Sequence, residues 1–303
     1  MENIIFGPVT SRRFGQSLGV DLSPNKKQCN FDCLYCELKG AKTVTKAQDT
    51  PTCKEVLNAI ENALKEYKNI DVLTLTANGE PTLYPELDEL VDGINRLKKD
   101  FKLLILSNGS TIDNDDIQKT LCKIDIVKLS LDCATQKCFK KLDRPAKGIE
   151  ITHIIDGMKR FAKIFKNTLV VEILVVEGIN DTVGEFEALQ EVLVQIAPHR
   201  VDVGTIDRPP AYNVKGVSVM RLIELAKCLK GLHVSIAYKK DYAPEKRGFS
   251  KEQIIEMLKL RPQSTNDIDF SFDAKSVEIL KDLVKQGIVF TRNVGGTEFY
   301  TTH

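Results

Sequence analysis

Three cysteines lie within eight positions of the segment QCNFDCLYCELKG (28–40), as Cys29, Cys33 and Cys36, and the segment contains no fourth. Structural zinc usually takes four ligands from two separated pairs, and the sequence has no second pair at that spacing. A four-iron cluster takes one thiolate for each iron, so three thiolates from one loop leave one iron open to a substrate or cofactor. We therefore predict an iron–sulfur cluster; the alternatives are a structural metal and buried free thiols.

The elements that position this loop are predicted from apolar runs of the chain. Six runs read as strands and show little polar alternation, which is typical of a parallel sheet covered on both faces. They are 17–22, 71–77, 102–108, 125–132, 168–176 and 201–206. Helical patterns fall between them, so the sequence predicts right-handed βαβ units in an α/β fold, an incomplete TIM-like (β/α)6 barrel.

The cysteine loop directly follows the first of these predicted strands. It should therefore lie at the carboxyl end of that strand, the face where active sites of such barrels gather. The loop position and the cysteine spacing thus point to the same end of the barrel.

Composition limits the classes of protein that the chain can belong to. The 303 residues are 42% hydrophobic and 28% charged, with 43 Lys and Arg against 42 Asp and Glu, so there is no overall positive field that would indicate nucleic acid. The first residues contain no apolar signal segment, and no apolar run approaches the roughly 20 residues of a membrane span. We expect a cytoplasmic protein that does not contact membranes, with reduced thiols.

The alternation of predicted strands and helices ends after residue 240, and we predict two domains, 1–240 and 245–303. Ser250 and Gln253 form a capping-box signature, Asp273 is a predicted helix cap, and two strands follow around a Val-Gly-Gly turn. Three helices and a hairpin form a winged-helix-like arrangement. Residues 245–303 carry nine basic and nine acidic side chains, a balance that argues against DNA binding and favours docking of a protein or substrate.

Cys-x3-Cys-x2-Cys after the first strand resembles the signature of the radical S-adenosylmethionine (radical SAM) enzymes. The resemblance implies a [4Fe-4S] cluster whose open iron chelates the amino and carboxylate groups of S-adenosylmethionine (SAM). It further implies reductive cleavage of SAM to a 5′-deoxyadenosyl radical that abstracts hydrogen from a substrate. An electron donor such as flavodoxin or ferredoxin is implied as a partner.

The same resemblance assigns a cofactor role to residues near the cysteines. Tyr35 occupies the place of the aromatic residue that lies near the adenine. Asn78-Gly79-Glu80 stands where the family usually has Gly-Gly-Glu, a turn whose backbone contacts the methionine ammonium. Asn tolerates left-handed backbone better than most residues, so this contact remains compatible with the sequence. The alternative is an ordinary strand-to-helix turn.

Polar side chains at later strand ends are assigned in the same way. Ser107 and Asn108 end the third predicted strand, and Ser130 and Asp132 end the fourth; in the family such residues reach the ribose hydroxyls or the methionine carboxylate. Polar residues are also common at strand ends without a ligand. Glu172 interrupts the apolar run VVEILVV, so it either points into the barrel lumen or is paired in the core. We predict the lumen and a cofactor contact.

A narrower resemblance comes from GPVTSRRFGQSLGVDL (7–22), KLDRP (141–145) and DRPPAYN (207–213). Together with the cysteine loop they resemble radical SAM proteins grouped with the tRNA wyosine-base synthases. Arg12, Arg13, Arg144 and Arg208 lie in loops that flank strands, three of which should open on the catalytic face. Arginine can hold carboxylate or phosphate with two hydrogen bonds, which predicts an anionic ligand, with Arg12 and Arg13 close to the cysteine loop. The alternative is surface salt bridging.

Three hypotheses about function follow. The first is a radical SAM enzyme acting on tRNA or another nucleotide-bearing molecule. The second is a variant of the first, a radical SAM activase or modifier of a protein partner that docks through the C-terminal domain. The third is a metal-sensing winged-helix regulator. The remaining cysteines are interpreted as buried thiols that fill small apolar gaps; these are Cys53, Cys122, Cys133, Cys138 and Cys228.

Overall fold

The computed structural model describes residues 4–11, 13–236, 246, 248–260, 262–294 and 297–302. Arg12 and most of the predicted domain boundary lie outside these described residues. Among the described residues, none of the helices combines the length and apolar character needed to cross a lipid bilayer.

An eight-stranded sheet dominates the chain, with its strands in sequence order and without closure of the barrel among the described residues. The strands are β1 Ile5–Ser11, β2 Gly15–Asp21, β3 Val72–Thr76, β4 Lys102–Ser107, β5 Ile126–Ser130, β6 Thr168–Val175, β7 Arg200–Thr205 and β8 Val234–Ile236. β1 pairs antiparallel with β2, and all later neighbours pair in parallel. The predicted open α/β fold is confirmed.

The two edge strands were not predicted from the sequence. Gly7-Pro8 interrupts β1, and its pairing with β2 shifts register between Phe6 and Val9. Proline cannot donate to a sheet ladder and is confined to edge strands or bulges, so the apolar pattern is broken here. β8 has only three residues, too few for a periodic signal.

In the part of the chain that the structure describes, the sheet is accompanied by seven α-helices: α1 Cys53–Glu66, α2 Leu87–Leu97, α3 Asp115–Leu121, α4 Gln136–Leu142, α5 Ile151–Ile164, α6 Val183–Ile196 and α7 Val219–Ala226. Alternate strand residues such as Leu73, Leu103 and Val127 are buried against these helices in one large core. The opposite face of the strands lines the lumen, because side chains alternate along a strand. Val72, Leu104, Ile126 and Val170 form a small separate cluster there with Phe14, which makes an apolar lumen floor.

The C-terminal part has its own elements: α8 Lys251–Leu260, β9 Gln263–Ser264, α9 Thr265–Ser271, α10 Ala274–Lys285, β10 Phe290–Val294 and β11 Thr297–Thr301. They surround a separate core that includes Ile254 and Phe272. The predicted caps are present, since Ser250 and Gln253 bond reciprocally and Asp273 accepts the amide of Ser276. The three strands are ordered β10-β11-β9. The division into domains and the winged-helix assignment stay predictions.

Candidate active site

The cysteine loop lies at the carboxyl end of β2 and is fixed by backbone hydrogen bonds to two other turns. The amide of Gln28 donates to Asn78 O at 2.7 Å, and the amide of Leu34 donates to Leu142 O at 2.9 Å. The amide of Ala146 donates to Asn30 O at 2.8 Å. The turns after β3 and α4 therefore hold the loop over the open end of the lumen.

The three sulfurs of the loop belong to free cysteines with polar neighbours. The amide of Phe31 donates to Cys29 Sγ at 3.4 Å, and the thiol of Cys33 lies 3.5 Å from Asp143 Oδ1. Within the described residues, these three sulfurs do not all lie within 4.8 Å of one another. A lone tetrahedral zinc with Zn–S bonds of about 2.3 Å would need sulfurs about 3.8 Å apart. Cys29 and Cys36 are both near enough to act on the Cys33 thiol, so the loop offers three sulfurs to one site, and this donor set fits an iron–sulfur group.

Burial controls the protonation of these thiols. It raises the pKa of Cys29 to about 12 and raises the pKa of Cys33 well above its usual value. Burial also raises the pKa of Cys36, although the positive charge of Lys27 acts in the opposite direction. The loop therefore carries neutral thiols unless a cationic centre stabilises the thiolates.

The turn Asn78-Gly79-Glu80 packs directly against the cysteine loop. Gly79 has φ of +141°, and a Cβ placed on it would lie 1.8 Å from Gln28 O. No larger residue fits this approach, which explains glycine at this position. The Asn78 amide donates to Asp21 Oδ1 at 2.8 Å. Asn78 and Gly79 thus set the position of the residues that lead into Cys29.

Glu80 is buried, and donors of the protein surround its carboxylate. Oε1 accepts from Thr82 N at 2.9 Å, Thr82 Oγ1 at 2.7 Å and Ser107 Oγ at 2.8 Å, while Oε2 accepts from Asn108 N at 2.7 Å. The predicted site residues Glu80, Ser107 and Asn108 are brought together. Glu80 and Ser107 tie the turn after β3 to the end of β4, and Asn108 Nδ2 lies 3.6 Å from Cys29 Sγ.

Tyr35 and Asp132 form the second predicted group that the structure brings together. Tyr35 donates to Asp132 Oδ2 at 2.5 Å, and Asp132 Oδ1 accepts from Leu174 N at 2.7 Å. Burial raises the pKa of Asp132 to about 7. The pKa of Asp143, which lies beside Asp132, is also raised, by burial and by the charge of Asp132. Ser130, Tyr35 and Asp132 line one pocket between the loop and the strand ends.

Asp21 is a fully buried residue that was not singled out from the sequence. Oδ1 accepts from Ser23 N and Asn78 N, each at 2.8 Å, whereas Oδ2 has no hydrogen-bond partner among the described residues. Burial raises the pKa of this carboxyl to about 6.

We expect the free energy of unfolding to fall between about pH 4 and pH 6 because of Asp21. A raised carboxyl pKa means that the native state binds more protons than the unfolded chain in this range, so stability is lost as the pH rises. The shift corresponds to about 3 kcal/mol. The Asp21→Asn variant keeps the Oδ1 acceptor but cannot titrate. Urea unfolding should therefore show a smaller loss of unfolding free energy between pH 4 and pH 7 for this variant than for the parent. Equal losses in the two chains would contradict the assignment.

Glu172 lies on the same face of β6 as Val170 of the lumen cluster, and its carboxylate contacts Lys128 Nζ at 2.5 Å. Its predicted contact with a cofactor stays a prediction. Lys128 Nζ also lies 3.6 Å from Asp202, a buried carboxylate that pairs with Arg200 at 2.7 Å and with Arg13. The Glu172 side chain remains 38% exposed, so it is accessible from the lumen. Lys128 was missed by sequence reasoning, although strand alternation places it on the same face as Ser130.

The expectation that Arg13 lies close to the cysteine loop is wrong. Arg13 precedes β2, whereas the cysteines follow it, and seven strand residues separate the two ends by about 20 Å. The β1–β2 hairpin, which the sequence did not reveal, turns Arg13 toward Asp202, which lies beside Glu172 next to the apolar floor of the lumen.

Arg144 and Tyr212 connect the other two motifs to the cysteine loop. Arg144 lies 3.3 Å from Asp32 Oδ2, Tyr212 donates to the same oxygen at 2.5 Å, and the Arg144 guanidinium stacks 4.7 Å over the Tyr212 ring. KLDRP and DRPPAYN thus position the loop through Asp32, which lies between Cys29 and Cys33.

Arg208 joins the cysteine loop to the C-terminal part instead of facing an open site. It is buried, donates to Pro262 O, and lies 3.7 Å from Glu37 and 3.5 Å from Asp267. Its position couples α9 to the residue that follows Cys36.

Replacing Arg208 with methionine should lower the free energy of unfolding by about 2 kcal/mol, because a charged hydrogen bond to a buried carbonyl is lost. Urea unfolding measures this loss. Lys285→Met is the control, since its ion pair is exposed, and it should stay within about 0.5 kcal/mol of the parent. Equal behaviour of the two variants would contradict a coupling role for Arg208.

The other cysteines differ partly from the interpretation as free thiols. Cys133 and Cys138 form a disulfide in the structure, next to Asp132 and at the start of α4. Cys53, Cys122 and Cys228 are free, and Cys53 is buried. The loop between β5 and α4 brings the paired sulfurs together, and the sequence spacing alone did not indicate this.

Comparisons with known proteins agree with this geometry. The Radical SAM superfamily profile matches residues 27–191, just over half of the chain. A UPF0026 protein of Helicobacter pylori is 40% identical over 300 residues, which cover 98% of this chain and 97% of that protein.

Two solved structures share the fold at low sequence identity. Streptococcus suis SuiB bound to its precursor peptide SuiA has a TM-score of 0.58 at 17% identity, over 73% of this chain and 48% of SuiB. TYW1 with a lysine-pyruvate adduct has a TM-score of 0.51 at 18% identity, over 70% of this chain and 72% of TYW1. The matched profile begins at Lys27 and includes all three cysteines of the loop, and the chain belongs to the radical SAM superfamily of enzymes, which use a [4Fe-4S] cluster and SAM.

Proposed function

We propose that Cys29, Cys33 and Cys36 bind the [4Fe-4S] cluster, and that SAM binds between the cysteine loop and the ends of β3 to β6. The observation that carries the proposal is that one loop holds three free cysteines beside the strand ends, where Cys29 Sγ lies 3.6 Å from Asn108 Nδ2. When bound, the cluster and SAM supply a 5′-deoxyadenosyl radical for hydrogen abstraction. The superfamily needs a reductant, and we propose a flavodoxin or ferredoxin.

The residues of the chain orient and enclose this site. The Asn78-Gly79 turn offers backbone groups to the methionine ammonium, and Tyr35 presents its ring to the adenine side. Ser130 and Asp132 lie next to Tyr35 in the same pocket, where they would meet the ribose. Glu80 and Ser107 act through the backbone that they hold.

The substrate would enter the lumen, between SAM and the apolar floor. Arg13, Lys128 and Arg200 face Glu172 and Asp202 there, so these five described side chains carry one excess positive charge. This balance favours an anionic group, and we propose tRNA or another nucleotide-bearing molecule as the substrate. The Lys128–Glu172 pair is the accessible part of the cluster of charges.

Anaerobic reconstitution with iron and sulfide, followed by dithionite and SAM, tests the reaction class. The expected products are methionine and 5′-deoxyadenosine. If neither is formed by a chain that has bound its cluster, the proposal fails. Modified nucleosides in tRNA from deletion and parent cells then test the substrate, and an unchanged profile would argue against tRNA.

A protein substrate is the second candidate, favoured by the buried Arg208 link between the cysteine loop and the C-terminal part. Extract from deletion cells distinguishes an RNA substrate from a protein substrate. The extract is treated with RNase or with protease and then added to the reconstituted enzyme. Stimulation of 5′-deoxyadenosine formation that survives RNase but not protease indicates a protein. The opposite pattern indicates RNA.

A further inference from the structure

Two adjacent lysines before the cysteines have opposite environments. The Lys26 side chain is 49% exposed and pairs with exposed Asp49 at 2.5 Å. The Lys27 side chain is only 9% exposed, and its Nζ lies 3.4 Å from Asp32 Oδ1. Because burying an ammonium group is costly unless it is compensated, Lys27 needs partners at this position.

The partners of Lys27 are Asp32 and the sulfur of Cys36. Asp32 is already contacted by Arg144 at 3.3 Å and by the Tyr212 hydroxyl at 2.5 Å, so its charge is shared. Lys27 also lies close enough to the Cys36 sulfur to interact with it. The Lys27 ammonium stands two residues before Cys29 and pairs with Asp32, which lies between Cys29 and Cys33. Lys27 therefore holds a positive charge beside the cysteine loop.

We propose that Lys27 sets the reduction potential of the cluster by holding a positive charge beside Cys36. This inference rests on the proposed function. Reduction adds one electron to the cluster from an external one-electron donor, so a nearby fixed cation stabilises the reduced form more than the oxidised form. Net charge and hydrogen bonds to the sulfurs are the terms through which a protein tunes such a potential.

Redox titration of the reconstituted chain, followed by EPR of the reduced cluster, tests this role. Lys27→Met should lower the equilibrium constant for reduction at least tenfold, which is about 59 mV more negative for a one-electron couple. Lys27→Arg keeps the charge and should remain near the parent. Lys26→Met removes an equal charge from the adjacent exposed position and should leave the potential unchanged.

A second variant tests the same claim with the opposite sign. Asp32→Asn removes a negative charge next to Lys27 and should make the potential less negative. A potential that stays unchanged in Lys27→Met at full iron content would overturn the inference. If Lys27→Met binds no cluster, the potential of Asp32→Asn is the test: a less negative value supports the inference, and an unchanged value rejects it. Loss of iron in both Lys27→Met and Lys27→Arg would assign a structural role instead. A parent chain that assembles no cluster would contradict the proposed function itself.

Discussion

Replacement of Cys33 with alanine is expected to remove the cluster and all SAM cleavage. In the proposed site the loop would supply one thiolate to each of three irons, so the loss of one ligand would leave a second iron without a protein ligand. Iron content, visible absorbance and 5′-deoxyadenosine formation should fall together to the level of a chain that was never reconstituted.

Cys122→Ala is the matched control for this experiment. Cys122 is a free cysteine that caps the end of α3, and it is half-buried. It should retain full iron content and cleavage. If Cys33→Ala retains the cluster, or if Cys122→Ala loses it to the same extent, the assignment of the three ligands is wrong.

Glu80→Ala is expected to reduce the free energy of unfolding by about 4 kcal/mol, since buried donors left without an acceptor cost about 1–3 kcal/mol each. The carboxylate accepts four hydrogen bonds from Thr82, Ser107 and Asn108. Urea unfolding measures the effect. Glu80→Gln retains an acceptor for Thr82 and Ser107, so it should cost less.

Glu89→Ala provides the comparison for Glu80, because Glu89 lies on the exposed face of α2. A change within about 0.5 kcal/mol is expected there. If Glu80→Ala is as mild as Glu89→Ala, Glu80 does not hold the turn after β3 to the end of β4, and its carboxylate is free for another role.

The fold was largely predictable because parallel strands covered on both faces leave apolar runs in the sequence. The six predicted strands correspond to β2 to β7. β1 was missed because Gly7-Pro8 breaks its pattern. Arg13 was expected near the cysteines because it is close to them in sequence, but β2 lies between the two and places them at opposite ends of the sheet.

The candidate site was predictable only where residues are adjacent in sequence. The cysteine spacing and the NGE turn are local patterns. By contrast, the approach of Asp143 to Cys33 and the convergence of Arg144 and Tyr212 on Asp32 join distant segments. The sequence pattern of the NGE turn also did not show that the Glu80 carboxylate accepts hydrogen bonds from backbone amides.

The most direct test of the central claim is the composition of the reconstituted centre and its response to SAM. Three cysteines that hold a cubane with one open iron predict about four irons and four sulfides for each chain. The EPR spectrum of the reduced centre should change when SAM is added, because SAM binds at the open iron. A single metal ion for each chain, or a four-iron spectrum that SAM leaves unchanged, would contradict the account.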